Sequence, residues 1–208
     1  MDLVLIRHPR VAVAEGVCYG ASDVALQDDP AHSAAQIAAR LTALGAPAPV
    51  ALVTSPLSRC ASVATALAAA SGSTVTATHG ALAEMDFGAW ESQRWDAIDR
   101  AQLDVWAADF DHARPHGGES VAQFAGRVRQ WFDETVESTV SHDDGCAAGP
   151  LHVVTHAGVI RTLASLTLGV PLEQCLRWSL NLPAIVWFER RTLRAGQSGA
   201  WSLKCWNA

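Results

Sequence analysis

The chain opens on a short apolar run, Asp2–Ile6, hydrophobic on both faces of an extended segment, and the run stops on Arg7-His8-Pro9. A strand apolar on both faces predicts a sheet covered on both sides. Pro9 has no N–H to give to a ladder, so the strand ends there. Residues 10–29 carry Gly and Asp without periodicity and read as a loop. Ala31–Leu44, rich in Ala and Leu and closed by Gly45 and Pro47, predicts a helix. Val50–Val53 predicts a second buried strand. It runs into Thr54-Ser55-Pro56-Leu57, where Ser55 is placed to cap a helix with Pro56 at its first position and Gly72 at its end. Thr74–Thr78 is β-branched and predicts a third strand.

Residues 80–116 break the pattern. Phe87, Trp90, Trp95, Trp106 and Phe110 stand among many acids, which predicts short helices and loops. Glu119–Val140 predicts a long amphipathic helix, and the polar, Gly-bearing stretch 141–150 a mobile loop. Leu151–Thr155 predicts a fourth strand ending on His156, Ala157–Leu168 a helix, and Ala184–Phe188 and Ala200–Trp206 two further strands. Strands alternating with helices predict an α/β sandwich. No repeat or linker divides the chain, so residues 1–208 are expected to form one domain with an aromatic-rich insert at about 80–116.

Composition narrows this picture. The chain has 208 residues, half of them hydrophobic and 17% charged, enough for a core and too apolar for intrinsic disorder. The net charge of −6 supplies no global field for nucleic acid or a membrane surface, so an anionic ligand must be held by a local basic cluster. No apolar run is long enough to span a bilayer, and the N-terminus lacks the pattern of a signal peptide. The five cysteines are widely spaced and include no CxxC pair, which points to reduced thiols in a cytoplasmic protein.

The chemistry gathers at strand ends. The first strand delivers Arg7-His8 and the fourth delivers Thr155-His156; the second delivers Ser55 and, one turn into its helix, Arg59. Ligands of parallel α/β sheets collect at the carboxyl ends of strands. Two arginines, two histidines and a helix N-terminus there suit a phosphate dianion, because the guanidinium fork donates two parallel bonds to phosphate oxygens. A neutral His8 imidazole can attack phosphorus in line while Arg7, Arg59 and His156 meet the charge on the equatorial oxygens. Glu84, among apolar neighbours just past the third strand, is placed to give the leaving oxygen a proton and then take one from water.

Arg7-His8, Ser55-Pro56-Leu57-Ser58-Arg59, Glu84 with Asp86-Phe87-Gly88-Ala89-Trp90-Glu91, Gly117-Gly118-Glu119-Ser120 and Thr155-His156-Ala157-Gly158 stand in the order of the histidine phosphatase (phosphoglycerate mutase-like) superfamily, which the chain resembles from Leu3 to about Phe188. The resemblance implies a three-layer α/β/α sandwich with a mostly parallel central sheet. It implies a phosphohistidine intermediate on His8, phosphate binding by Arg7, Arg59 and His156, a proton donor at Glu84, and neither metal nor cofactor. Within the superfamily the chain looks most like the α-ribazole phosphatase branch of the cobalamin pathway. It departs at Pro9, where the family has Gly, and at residues 10–14, which lack the family's Asn.

The implied partner is a small-molecule phosphomonoester met by a monomer or homodimer. Trp90 and Trp106, with Ser120, are candidates for a lid over an aromatic leaving group, since a stacked base gains about 1–3 kcal/mol per aromatic. Two alternatives are a phosphoglycerate mutase-type transferase and a catalytically degenerate phospholigand binder. Other enzyme classes find no support. No Cys is followed by Arg at the spacing of a Cys-x5-Arg loop, Asp109-Phe110-Asp111 does not follow a strand, Pro115 spoils the His112/His116 spacing for a metal, and no Walker, GxGxxG or GxSxG pattern occurs.

Overall fold

The structure, a computed structural model, describes residues 1–138, 149–191 and 199–208. Strand β1 (Asp2–Arg7) is its centre: Leu3, Val4, Leu5 and Ile6 are all fully buried. Successive side chains point to opposite faces. Accordingly Leu3 and Leu5 join one hydrophobic core and Val4 and Ile6 the other. The first core is completed by helices α4 (Val121–Phe132) and α5 (Ala157–Leu168). The second is completed by α1 (Pro30–Ala43) and α2 (Ser58–Ser71). The result is the expected α/β/α sandwich.

Strands β2 (Ala51–Thr54), β3 (Ala77–Thr78), β4 (Leu151–Thr155), β5 (Ala184–Arg190) and β6 (Trp201–Cys205) complete a six-stranded sheet of order β3-β2-β4-β1-β5-β6. The first four in that order run parallel; β5 runs antiparallel to β1, and β6 antiparallel to β5. Register decides which residues share an edge. Arg7 pairs with Thr155 and Thr54 with Val154, so β1, β2 and β4 all end at one edge of the sheet. Ala184 also pairs with Arg7, which brings the chain just before β5 to that same edge.

Several elements differ from the sequence expectation. The third strand shrinks to Ala77–Thr78, because this edge has a single neighbour and residues 71–74 are exposed. Helix α2 begins at Ser58, not at Pro56; Ser55 Oγ accepts from the Leu57 amide at 3.3 Å just ahead of it and also meets His156 Nε2 at 2.8 Å. The long helix starts at Val121 and widens into a π turn over Asp133–Glu137; its expected end and most of the predicted loop at 141–150 lie outside the described residues. A short helix α6 (Leu172–Cys175) was not expected. Cys18, Cys60, Cys175 and Cys205 are free thiols; Cys146 lies outside the described residues.

The insert contains three 3₁₀ turns and helix α3 (Arg100–Ala108) around a small core of Cys18, Trp90 and Ile98. It is closed by backbone contact. A Cβ on Gly118 would sit 2.2 Å from the Asp86 carbonyl, so only glycine lets the 117–118 turn lie against residues 86–88.

Candidate active site

His8 and His156 meet at the shared strand edge with ring centroids 5.2 Å apart and planes inclined at 62°. Both are buried. Their tautomers are set by their partners. His8 Nδ1 lies 2.7 Å from the Pro9 carbonyl, which can only accept, so Nδ1 carries the proton. Nε2 is left with its lone pair and has no hydrogen bond to another described residue. Pro9 removes an amide donor that glycine would supply, yet it keeps the carbonyl that orients the ring.

His156 is fixed in the opposite sense. Its Nδ1 accepts from Arg59 Nε at 3.3 Å, and its Nε2–H donates to Ser55 Oγ at 2.8 Å. Both ring nitrogens are thus committed inside the protein. The direct phosphate contact expected of His156 would need a ring nitrogen to leave Arg59 or Ser55.

Burial is the leading cause that pushes the His8 pKa down, to about 3, with Arg59 and Arg7 adding to it. Burial also holds His156 well below its ordinary value, followed by the fields of His8, Arg59 and Arg7. Both rings therefore fold neutral. Between pH 6.5 and about 3 the unfolded chain takes up a proton at His8 that the native chain refuses, so native stability falls as pH falls through that window. The slope per histidine reaches at most about 1.4 kcal/mol per pH unit. The urea midpoint is expected to drop between pH 6.5 and pH 4, and less steeply in His8→Gln. An equal slope in both proteins would contradict this.

Arg59 is 0% exposed. It donates from Nη1 to Ser22 O at 2.7 Å and from Nη2 to Gly20 O at 2.6 Å, and its guanidinium lies 5.3 Å from the Tyr19 ring centroid. The loop holding those carbonyls is pinned by Glu91, which accepts from the amides of Ala21, Ser22 and Phe87. Arg7 donates to Leu180 O and Asn181 O, and its buried Nε has no partner. The N-terminus of α2 does not face the pocket as an anion site, because Asp23 accepts from the Ser58 amide at 2.7 Å.

Glu84 holds its carboxylate against the first turn of α5, the helix whose N-cap residue is His156. It accepts from the amides of Gly158 at 3.0 Å and Met85 at 3.1 Å. Its backbone is held by Arg127, which donates to the carbonyls of Ala81, Ala83 and Glu84 and pairs with Glu119 at 2.7 Å. A Cβ on Gly158 would come within 2.2 Å of Glu84 Oε1. Gly158→Ala is therefore expected to push Glu84 out of place and lower kcat about 10–100-fold, the usual share of a proton donor, with the fold retained by circular dichroism. Unchanged kcat would show that Glu84 is not needed where it stands.

Next to Glu84 opens a cavity of about 190 Å³, walled by Phe87, Trp106, Phe110, Phe124, Leu172 and Leu176 together with Arg161. Of the expected lid residues only Trp106 lines it. Trp90 is 1% exposed, stacks on His116 with centroids 4.7 Å apart, and donates from Nε1 to Gln102. Ser120 is the buried N-cap of α4, accepting from the Gln123 amide in a capping box. Both support the insert from beneath. Tyr19 and Arg127 were missed from sequence, and Ser55 and Glu91 were seen only as motif residues, since the contacts they make here are long-range and have no local pattern.

A parallel-edge anion pocket of arginines and neutral histidines defines a class of phosphoryl-handling α/β proteins, and comparison with known proteins narrows it. The model of the histidine phosphatase superfamily (branch 1) matches residues 3–208, and the chain belongs to that superfamily. It is a phosphomonoester hydrolase. A glucosyl-3-phosphoglycerate phosphatase of Mycolicibacterium vanbaalenii is 30% identical over 99% of this chain and 94% of its own length. A solved mycobacterial glucosyl-3-phosphoglycerate phosphatase is 27% identical, with a TM-score of 0.78 over 100% of this chain and 98% of that one. The α-ribazole phosphatase of Shigella flexneri shares the fold, with a TM-score of 0.80 at 22% identity over 100% of this chain and 96% of that one. Among the described residues no helix is long and apolar enough to cross a membrane.

Proposed function

We propose that this protein hydrolyses a small phosphomonoester in two in-line steps through a phosphoryl group carried on His8, without a metal. The observation that carries this reading is the fixed His8 tautomer: Nδ1–H is spent on the Pro9 carbonyl, so the nucleophilic lone pair sits on Nε2 beside Arg7, Arg59 and His156. In the first step Nε2 bonds to phosphorus, the ester P–O bond breaks, and the leaving oxygen takes a proton from Glu84. In the second, Glu84 takes a proton from water, the water oxygen bonds to phosphorus, and the P–N bond returns its electrons to His8. Arg7 and Arg59 meet the charge on the phosphoryl oxygens through preoriented N–H groups, the main electrostatic share of such a reaction.

For the substrate, the relative at 30% identity favours a glycosylated phosphoglycerate. The α-ribazole 5′-phosphate reading draws on the aromatic side of the cavity, Phe87, Trp106 and Phe110, which suits a flat base. A panel of glucosyl-3-phosphoglycerate, α-ribazole 5′-phosphate and p-nitrophenyl phosphate tests both. The glycosylated phosphoglycerate is expected to give the highest kcat/KM. A higher value for α-ribazole 5′-phosphate would reverse the choice, and no turnover on any of the three would remove the enzymatic reading.

A further inference from the structure

Four side chains bring polar groups to the wall of the cavity beside Glu84: Glu84 itself, Thr162, Arg161 and Trp106, whose buried indole N–H has no partner. Thr162 gives its hydroxyl to Gly158 O, back along its own helix. Arg161 is different. Of the five N–H groups of a guanidinium, one donates from Nη2 to Trp178 O at 3.1 Å, while the buried Nε has no partner. Arg161 forms no ion pair among the described residues. Burial pushes its pKa down, and the charge of Glu84 partly offsets that.

Every neighbouring arginine has more to hold it. Arg59 is bonded at three nitrogens, and Arg127 is tied to Glu119 and to three carbonyls. Arg161 is half-buried, and with one carbonyl as its hydrogen-bond partner its guanidinium keeps donors available for an anion.

Position says which part of the substrate that anion belongs to. His156 is the N-cap of α5, Gly158 binds Glu84, and Arg161 stands three residues beyond Gly158 on the same helical face. The helix start thus orders anion pocket, proton donor and Arg161. The leaving alcohol departs past the proton donor, into the cavity that Arg161 lines.

We propose that Arg161 is a specificity-determining residue that pairs with a carboxylate on the alcohol half of the substrate. This rests on the phosphomonoesterase reading above. The single cationic side chain lining a pocket of about 190 Å³ matches a single carboxylate, which its planar fork binds through two parallel bonds. A second phosphate would call for more donors than this wall supplies.

The test is a matched pair of monoesters, 3-phosphoglycerate and glycerol 3-phosphate, which differ by a carboxylate against a hydroxymethyl group. The ratio of their kcat/KM values is measured in wild type, Arg161→Gln and Arg161→Lys, with p-nitrophenyl phosphate turnover reporting that each variant is folded. Wild type is expected to prefer 3-phosphoglycerate. In Arg161→Gln that ratio is expected to fall about 10-fold or more, chiefly through KM for 3-phosphoglycerate, with partial recovery in Arg161→Lys. A ratio that stays put, whether both substrates lose equally or neither changes, would overturn the assignment and leave the phosphomonoesterase reading standing. Failure of wild type to hydrolyse any of the three esters would overturn both.

Discussion

Replacing His8 by alanine is expected to lower kcat on any phosphomonoester by at least about 10⁴-fold, the scale of losing a covalent nucleophile. The size reflects the geometry. Among the described residues His8 is the only imidazole at this edge with an unshared ring nitrogen, since His156 has given Nδ1 to Arg59 and Nε2 to Ser55. No other side chain can take over the attack without dismantling the pocket. Burial keeps the ring neutral down to about pH 3, so the nucleophile is in its reactive form at any ordinary assay pH. Steady-state rates of the folded variant on p-nitrophenyl phosphate check this. A residual rate within 10-fold of wild type, on a scale where general acid–base assistance alone gives about 10²–10⁴, would mean that His8 is not the attacking group.

The second large effect is expected at Arg59, and it should strike stability and turnover together. The guanidinium is wholly enclosed and bonded to Ser22 O, Gly20 O and His156 Nδ1. Arg59→Met strands three buried acceptors, each costing about 1–3 kcal/mol when left unmade. Loss of at least about 3 kcal/mol is therefore expected, seen as a lower urea midpoint at unchanged m-value. In the proposed mechanism the same side chain presents charge to the phosphoryl group, so kcat/KM is expected to fall about 10³-fold in whatever protein remains folded. Arg59→Lys is expected to recover little, since one ammonium cannot reach three acceptors arranged for a planar fork. A lysine variant with near wild-type stability and rate would show that the fork geometry is unimportant.

Much of this was legible in the chain because it is local. The run Leu3–Ile6 is apolar at every position, and that suffices to predict a central strand covered on both faces. The carboxyl ends of β1 and β4 announce Arg7, His8 and His156, and the register of a parallel pair does the rest. What escaped was decided by contacts across the fold. Ser55 reads as a helix cap because its neighbours are Thr, Pro and Leu, and it does accept from the Leu57 amide; that His156, 101 residues away, shares its hydroxyl has no local pattern. Trp90 looked like a lid because it stands in an aromatic, acidic stretch, yet Cys18 and Ile98 bury it. Arg161 carried no signal at all. An arginine in the middle of an apolar helix reads as a surface charge until the cavity in front of it is seen.

The proposed mechanism turns on a bond between phosphorus and His8. The direct measurement is to mix enzyme with excess p-nitrophenyl phosphate, quench within milliseconds in alkaline denaturant, which preserves phosphohistidine, and map the modified peptide by mass spectrometry. One phosphoryl group on His8, absent from His8→Ala and rising before steady state, is the predicted result. Steady release of phosphate with the group on a different residue, or with none trapped in Gly158→Ala, where displacement of Glu84 slows its discharge, would contradict the account.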